Sequence, residues 1–329
     1  MSNVVKKIAI HDFKGTPFFE KKHIKNIKNA LPEVEIVYSF EVKDLMENAL
    51  DADVLIAFPF FPPELVDYCK KAKNLKLIHS VIAGIDGFVK SEIRDLPIRI
   101  TSTKGIHGYP IADHTLAYIF AFLRNFPVFF QAKLNKKYLN EAGYGCDETF
   151  EKTVGIIGTG NIGLYIAKKC KLLGFKVLGL KRTPIESEWL DTCYSNDQID
   201  KLLEESDFVV IAIPSTPDTK KLIGEKELDM MKRSAYLINI ARGDVVDEEA
   251  LIKALEEKAI AGAGLDVYAE EPLPAESKLW DLPNVIMTPH IAARSPYYND
   301  RCNKVTIENL LRFARGEELL FEADKNRGY

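Results

Sequence analysis

Residues 155–184 read GIIGTGNIGLYIAKKCKLLGFKVLGLKRTP, a glycine-rich turn and helix followed by a strand that ends in basic residues. Gly158, Gly160 and Gly163 form a G-x-G-x-x-G pattern directly after an apolar run. Between a strand and a helix, such glycines permit a tight turn, close approach of a pyrophosphate, and close packing of helix on strand. The helix N-terminus adds free N–H groups and a positive dipole end. The stretch therefore predicts a Rossmann-type unit with a dinucleotide site.

The end of the second strand carries an unusual set of side chains for such a site. Lys181, Arg182 and Thr183 stand where an Asp or Glu usually binds the ribose hydroxyls of NAD. A carboxylate repels a 2′-phosphate, whereas a guanidinium pairs with it in a bidentate manner and a hydroxyl donates to it. We therefore expect NADP(H) to be preferred. The alternative is NAD(H), with the basic pair on an ordinary surface turn.

Short runs rich in Val, Ile and Leu alternate with helical patterns along nearly the whole chain. Predicted strands are 7–10, 35–37, 54–57, 75–79, 98–100, 153–157, 176–180, 208–213, 235–240, 262–267 and 285–288. Predicted helices include 18–30, 42–49, 63–71, 86–91, 110–124 and 299–315. Repeated β-α units imply parallel sheets covered on both faces. We predict an α/β fold with two doubly wound, Rossmann-like domains and an active site in the cleft between them. The substrate domain is discontinuous, 1–103 and 297–329, and residues 104–296 form the dinucleotide-binding domain.

Composition excludes several classes of function. The 329 residues are 47% hydrophobic and 28% charged, with a formal net charge of −4, so no basic excess suggests a nucleic-acid partner. Five dispersed cysteines are typical of reduced thiols in the cytoplasm. The most apolar stretch, 115–123, is too short to span a bilayer, and the N-terminal apolar run is too short for a signal peptide. We expect a cytoplasmic protein without a nucleic-acid or membrane partner.

Polar residues follow three later strands. Arg242 lies in LINIARGD, Asp266 and Glu271 lie in GLDVYAEEPLP, and His290 lies in VIMTPHIAA. Because loops at the carboxyl ends of parallel strands face the ligand crevice, we expect an arginine, a carboxylate and a histidine to converge near the cofactor.

These motifs, in this order and spacing, resemble the D-isomer-specific 2-hydroxyacid dehydrogenases. The segment GIHGYPIADHTLAY at 105–118 is similar to one branch of that family, with Asp113 where Glu is more usual. The resemblance implies an oxidoreductase that transfers hydride between nicotinamide C4 and C2 of a small 2-oxo or 2-hydroxy acid, mainly as a 2-oxoacid reductase. One alternative keeps this chemistry with NAD(H), and another is a non-catalytic, dinucleotide-sensing scaffold of the corepressor type. Formate oxidation is disfavoured because that branch has glutamine where this chain has Glu271.

The resemblance also implies roles for individual residues. Arg242 binds the substrate carboxylate and polarises the keto oxygen, His290 is the acid/base, and Glu271 holds the imidazole. Backbone N–H groups of Ala83 and Gly84 receive the substrate carboxylate. Further cofactor-binding residues are Asn161, Ile162, Pro214, Thr219, Ile240, Ala241 and Asp266, of which Asp266 meets the nicotinamide carboxamide. Reduction builds negative charge on oxygen, which a proton donor and a fixed cation stabilise, so no metal is expected.

The remaining expectations concern histidines, specificity and assembly. We expect His11 and His23 at the surface, and His107 close to the nicotinamide side of the cleft. Aromatic and apolar residues near Phe58–Phe61, Ile82, His107–Tyr109 and Ser295–Tyr298 favour a substrate with hydrophobic bulk. The helix from about Pro110 and the sequence FAFLRNFPVFF after it carry excess apolar surface, which predicts a homodimer.

Overall fold

A computed structural model describes residues 5–15, 17–59, 62–139 and 145–325. The strands are β1 Lys7–His11, β2 Glu35–Ser39, β3 Val54–Ala57, β4 Leu77–Ser80, β5 Arg99–Ser102, β6 Thr153–Ile157, β7 Lys176–Leu180, β8 Thr192–Tyr194, β9 Phe208–Ile211, β10 Tyr236–Asn239, β11 Gly262–Leu265 and β12 Val285–Met287. The α-helices are α1 Lys21–Ala30, α2 Val42–Asn48, α3 Pro63–Lys71, α4 Asp86–Val89, α5 Gly108–Leu123, α6 Phe126–Leu134, α7 Asn161–Leu172, α8 Ile199–Glu205, α9 Glu225–Met230, α10 Glu248–Glu256 and α11 Tyr298–Arg315.

The chain folds as two compact units. One runs to His107 and resumes at Ser295, and the other spans Gly108–Arg294. Each contains one parallel sheet with apolar clusters on both faces, which confirms the predicted α/β class with two Rossmann-like, parallel-sheet domains. The division of labour between a substrate unit and a cofactor unit stays a prediction.

The first unit has the strand order β2-β1-β3-β4-β5. Its strands β3 and β4 are buried along their whole length, as expected of a parallel sheet covered on both faces, and β3 is entirely apolar whereas β4 ends in His79 and Ser80. Helix α11 closes one face, where Leu310 and Phe313 join Ile8 and Ile10 in one core. The helix ends at Gly316, whose φ of 71° lies in the left-handed region that glycine adopts readily.

The second unit has the strand order β12-β11-β10-β9-β6-β7-β8. The chain order reverses between β6 and β9, which is where open α/β sheets bind ligands at the carboxyl ends of their strands. Strand β8 was not predicted, because its three residues, TCY, form only a short edge strand. Helix α6 was not predicted either.

The expectation that His11 and His23 lie at the surface is wrong. His11 ends the buried strand β1, and burial lowers its pKa. His23 lies on the inner face of α1, where its Nε2 is 2.7 Å from Oδ1 of Asp300 in α11.

None of the helices in the described part of the chain combines the length and the apolar composition that crossing a membrane requires.

Candidate active site

The predicted residues of the second unit follow six of its strands at one edge of the sheet. Because all pairings in this sheet are parallel, the carboxyl ends of its strands share that edge. The glycine turn follows β6, the basic residues follow β7, and Pro214 and Thr219 follow β9. Ile240, Ala241 and Arg242 follow β10, Asp266 and Glu271 follow β11, and His290 follows β12.

The glycine turn fits a dinucleotide pyrophosphate. Gly158 has a φ of 101°, and a Cβ there would lie 2.6 Å from the backbone oxygen of Ala212. At Gly163 a Cβ would lie 2.1 Å from the oxygen of Gly158, so helix α7 packs directly against the turn. A Cβ at Gly160 would meet no atom within 4 Å, so the backbone there borders open space. Asn161 and Ile162 begin α7, in the first turn of which N–H groups have no intrahelical acceptor.

The basic residues after β7 lie next to the glycine turn, because the N–H of Gly158 donates to the oxygen of Leu180, the last residue of β7, at 3.0 Å. The backbone N–H of Lys181 donates to the oxygen of Tyr194 at 3.0 Å, which fixes the end of the strand. Arg182 and Thr183 are exposed. A guanidinium and a hydroxyl are therefore presented at the strand end that normally faces the ribose.

The turn after β9 is held by its own side chains. The hydroxyl of Thr219 donates to the oxygen of Pro214 at 2.7 Å and accepts from the N–H of Thr216 at 2.8 Å. Ser215 donates to Oδ2 of Asp244 at 2.7 Å, which ties this turn to the loop after β10. Neighbouring strand-end loops are thus fixed relative to one another.

Arg242 is positioned by a buried asparagine. The side-chain amide of Asn239 donates to the oxygen of Arg242 at 2.9 Å, and its Oδ1 accepts from the N–H of Ala241 at 3.1 Å. Nη1 of Arg242 donates to the oxygen of Ala241 at 2.8 Å. Gly243 lets the loop lie against the backbone of Tyr268, where a Cβ would come within 1.9 Å. Asn239 is not among the predicted site residues, although an amide inside an apolar strand is a usable signal.

His290 and Glu271 form a close pair. Nδ1 of His290 lies 2.7 Å from Oε2 of Glu271, and Oε1 of the same carboxylate accepts from the N–H of Tyr268 at 3.1 Å. The His290 side chain is 50% exposed, so its other ring nitrogen can meet a small molecule. Burial, with the nearby Asp266 and Glu271 carboxylates, raises the pKa of Tyr268 to about 12. The geometry is that of an imidazole oriented by a carboxylate.

Asp266 is buried and contacts the loop that carries His290. Its carboxylate accepts from the N–H groups of Ile291 at 2.9 Å and Ala292 at 2.8 Å, and from the Thr288 hydroxyl at 2.5 Å. Its backbone oxygen accepts from the N–H of His290 at 2.8 Å. Asp266 thus holds the loop that carries His290, and its predicted contact with the nicotinamide stays a prediction.

Asp113 stands where the resembled branch more often has Glu. Its carboxylate pairs with the ammonium of Lys169, which also donates to the oxygen of Tyr109 at 3.4 Å. The shorter side chain thus joins α5 to α7. In the described ranges, no group of three or more His, Cys, Asp or Glu comes together in a way that could hold a metal ion.

In the first unit, Ala83 and Gly84 lie in the turn after β4. Ser80 stabilises this turn, because its hydroxyl contacts the oxygens of Ile82 at 2.9 Å and Gly84 at 3.3 Å. Both predicted residues are half-buried. The turn thus exposes backbone at the carboxyl edge of the first sheet.

Five rings form an aromatic cluster at the same edge of the first unit: Phe13, Phe18, Phe58, His107 and Tyr298. Centroid separations are 5.1 Å for Phe13–Phe58, 5.6 Å for Phe18–Phe58, 6.0 Å for Phe18–Tyr298 and 5.3 Å for His107–Tyr298. Phe13 and Phe58 follow β1 and β3, between which the strand order of this sheet reverses. Phe60 and Phe61, which the specificity prediction included, lie outside the described residues.

His107 is buried within this cluster. Its Nε2 lies 3.0 Å from the hydroxyl of Tyr298, which donates to the oxygen of Val81 at 3.0 Å. Burial lowers the pKa of His107 to about 4, so the ring is neutral near pH 7. The predicted proximity of His107 to the nicotinamide stays a prediction.

The chain is similar to known dehydrogenases and reductases in both sequence and fold. The model for the NAD-binding domain of D-isomer-specific 2-hydroxyacid dehydrogenases matches residues 116–292. A glyoxylate reductase of Korarchaeum cryptofilum is 35% identical over 290 residues, covering 84% of this chain and 83% of the relative. The structure of a D-isomer-specific 2-hydroxyacid dehydrogenase from Xanthobacter autotrophicus, in complex with NADPH and MES, is similar with a TM-score of 0.85 at 29% identity, covering 99% of this chain and 100% of that one. An NADPH-dependent glyoxylate/hydroxypyruvate reductase from Sinorhizobium meliloti, in complex with NADP and sulfate, has a TM-score of 0.79 at 26% identity, covering 98% and 100%.

Proposed function

Because the chain belongs to the D-isomer-specific 2-hydroxyacid dehydrogenase family, we propose that it acts mainly as a 2-oxoacid reductase that prefers NADP(H). The family assignment makes it an NAD(P)-dependent oxidoreductase of 2-hydroxy acids with a nicotinamide dinucleotide cofactor. The observation that carries the proposed chemistry is the 2.7 Å contact between His290 and Glu271 at the ligand edge of the sheet.

The proposed roles follow from charge development. When bound, the reduced nicotinamide supplies hydride from C4 to C2 of the 2-oxo acid. The keto oxygen then gains negative charge, and His290 donates a proton to it from Nε2, because Nδ1 is engaged by Glu271. Arg242 binds the carboxylate and polarises the keto oxygen, since a guanidinium stays charged at any relevant pH. Backbone N–H groups of Ala83 and Gly84 are proposed to donate further hydrogen bonds to the substrate carboxylate.

A panel of 2-oxo acids tests the activity directly. Glyoxylate, pyruvate, hydroxypyruvate, a branched 2-oxo acid and phenylpyruvate are each assayed with NADPH and NADH, and the product is analysed on a chiral column. We expect saturable oxidation of the cofactor and a D-2-hydroxy acid. If no acid is turned over with either cofactor while both cofactors bind, the chain is a dinucleotide-binding scaffold instead.

The NADP(H) preference is proposed from the residues after β7. An arginine and a hydroxyl occupy the strand end, and no carboxylate stands among residues 181–184 to repel a 2′-phosphate. Solved relatives from Xanthobacter autotrophicus and Sinorhizobium meliloti contain NADPH and NADP, respectively. If NAD(H) serves equally well, the basic residues belong to an ordinary surface turn.

Arg182→Asp tests this preference. The new carboxylate repels the 2′-phosphate and accepts from ribose hydroxyls, so kcat/KM with NADPH should fall roughly 10- to 100-fold while that with NADH rises. Lys226→Asp makes the same charge change on the exposed face of α9 and should leave the ratio unchanged. An unchanged ratio in Arg182→Asp would remove the proposed preference.

The aromatic cluster supports an apolar or aromatic substrate side chain. Its rings lie at the ligand edge of the first sheet, and contact with an apolar group is favourable there. Phe58→Ala should lower kcat/KM for phenylpyruvate roughly tenfold relative to glyoxylate. Phe40→Ala removes a ring that contacts Tyr38 instead and should not alter the ratio. Saturation with glyoxylate but not with bulkier acids would overturn this preference.

We also propose a cytoplasmic location and a homodimer. The five cysteines are free thiols in the structure, as in proteins of reducing compartments. The dimer is proposed to form through α6, whose apolar side chains are exposed. Fractionation of cells with compartment markers tests the location.

A further inference from the structure

The loop that carries His290 has a backbone conformation that needs support. His290 has a φ of 53°, in the left-handed region, although it is not a glycine. Its N–H donates to the backbone oxygen of Asp266, and the next two N–H groups donate to the Asp266 carboxylate. The direction of the imidazole therefore depends on where that carboxylate is held.

The Thr288 hydroxyl contacts the Asp266 carboxylate and two side chains of helix α5. It donates to Oδ1 of Asp266 at 2.5 Å, lies 2.5 Å from the Tyr118 hydroxyl and 3.0 Å from Nε2 of His114. One hydroxyl offers one proton and two lone pairs, so a Thr288 that donates to Asp266 accepts from Tyr118 and from the N–H of His114. All of its hydrogen-bonding capacity is then used.

The two donors on α5 are themselves well placed. His114 and Tyr118 are four residues apart, so they share one helix face, and their ring centroids are 4.8 Å apart. Tyr118 is buried against Gly264 of β11, where a Cβ would come within 2.8 Å of the ring. The network therefore joins helix α5 to the loop that carries His290.

We propose that Thr288 is a positioning residue, whose hydroxyl holds the Asp266 carboxylate and thereby directs the His290 imidazole toward Glu271. The importance of His290 for turnover rests on the proposed function, whereas the effect of Thr288 on the loop does not. Thr288 is not proposed to touch the reacting atoms, and it acts through Asp266, which is itself a proposed cofactor-binding residue.

Thr288→Val, which keeps the shape and removes the hydroxyl, tests this proposal, with Thr288→Ser as the conservative control. In the valine variant we expect kcat to fall roughly 10- to 100-fold, a larger effect than the change in the KM for NADPH, which Asp266 affects through its proposed contact with the nicotinamide. The serine variant should recover kcat to within about threefold of the wild type. In a His290→Asn background, Thr288→Val should cause no further loss of the residual rate, because both changes affect the same group. A further loss of full size would show that Thr288 acts elsewhere and would overturn the proposal.

Amide hydrogen exchange gives a readout that needs no turnover. In the unliganded valine variant, the N–H groups of Ile291 and Ala292 should exchange at least about tenfold faster, and in the serine variant at the wild-type rate. If Thr288→Val does not fold, Tyr118→Phe removes one donor to the hydroxyl and should give a smaller increase in the same peptide. Unchanged exchange in the folded variant overturns the proposal. A wild-type protein that reduces no 2-oxo acid overturns the proposed function alone, since exchange still decides the role of Thr288.

Discussion

At the residue scale, the two ring nitrogens of His290 have different surroundings. Nδ1 contacts Glu271, whose second carboxylate oxygen is held by the N–H of Tyr268. The carboxylate therefore cannot rotate without losing a hydrogen bond, and it fixes the plane of the imidazole. Nε2 is the nitrogen that is proposed to meet the substrate oxygen, so each nitrogen would have a separate task.

Glu271→Gln tests that division. The amide keeps the size of the side chain but removes the negative charge that stabilises an imidazolium, so kcat should fall roughly 10- to 100-fold. Because Glu271 is not proposed to touch substrate, the KM for the 2-oxo acid should change much less. Glu270→Gln, an exposed neighbour, is the matched control. Steady-state kinetics that show equal kcat values in both variants would contradict the proposed role.

Some of these residues can be predicted from the sequence and others cannot. Arg242, Glu271 and His290 were identifiable because polar residues after buried strands are placed at one edge by the fold, and their catalytic roles stay predictions. Thr288 was beyond reach, because its contact with His114 joins residues 174 positions apart. A contact between a hydroxyl and a helix that is distant in the sequence cannot be predicted from a local sequence pattern.

At the element scale, the turn between β6 and α7 contains two glycines with different surroundings. Gly163 is required for packing, since a Cβ would collide with the oxygen of Gly158. A Cβ at Gly160 would meet no atom within 4 Å, so packing within the protein does not require a glycine there. The absence of a side chain instead leaves room for a bound group next to the backbone. The two positions can therefore be tested separately.

Alanine substitutions should give opposite results at these glycines. Gly163→Ala should lower the free energy of unfolding by about 1–3 kcal/mol, because the turn must shift. Gly160→Ala should leave stability nearly unchanged but raise the Kd for NADPH at least about tenfold, equivalent to about 1.4 kcal/mol. Denaturant unfolding and isothermal titration calorimetry measure the two quantities. If Gly160→Ala binds NADPH as the wild type does, the pyrophosphate does not approach this backbone.

The fold class was predictable from alternating strands and helices, but the order of the strands was not. The order β12-β11-β10-β9-β6-β7-β8 depends on which edges pair, and every buried strand here has a similar apolar composition. Short elements also escaped prediction. The first five residues of helix α6, FPVFF, form a continuous apolar run without a helical period, so the sequence does not identify an amphipathic helix there.

At the scale of the whole molecule, buried histidines should make stability depend on pH. Burial lowers the pKa of His79 to about 3 and that of His107 to about 4. In the unfolded chain a histidine has a pKa of about 6.5. Between these pKa values the unfolded state binds more protons than the native state. The contribution of these histidines to the free energy of unfolding is therefore fully present above about pH 6.5 and is lost as the pH falls.

We therefore expect a lower free energy of unfolding at pH 5 than at pH 7.5, by up to about 2 kcal/mol for each of these two histidines. Urea unfolding at several pH values measures the slope. His107→Gln, which removes one titrating group, should show a shallower slope over this window than the wild type. Equal slopes would mean that His107 does not contribute to acid sensitivity.

The exposed apolar side chains of helix α6 predict how the protein assembles. Phe126, Val128, Phe130 and Leu134 are 45%, 41%, 59% and 74% exposed, and none of the residues of this nine-residue helix is buried. Phe126, Phe130 and Leu134 are four residues apart and share one face of the helix, and an exposed apolar face is costly in water, so a second copy of the chain is proposed to cover it. Light scattering at micromolar concentration should give the mass of a dimer. Leu134→Asp should shift the mass toward the monomer, because a charge cannot be buried unpaired at an interface. Leu172→Asp, at a leucine that is 69% exposed at the end of α7, is the matched control and should leave the dimer intact. A wild-type monomer, or equal masses for both variants, would contradict association through α6.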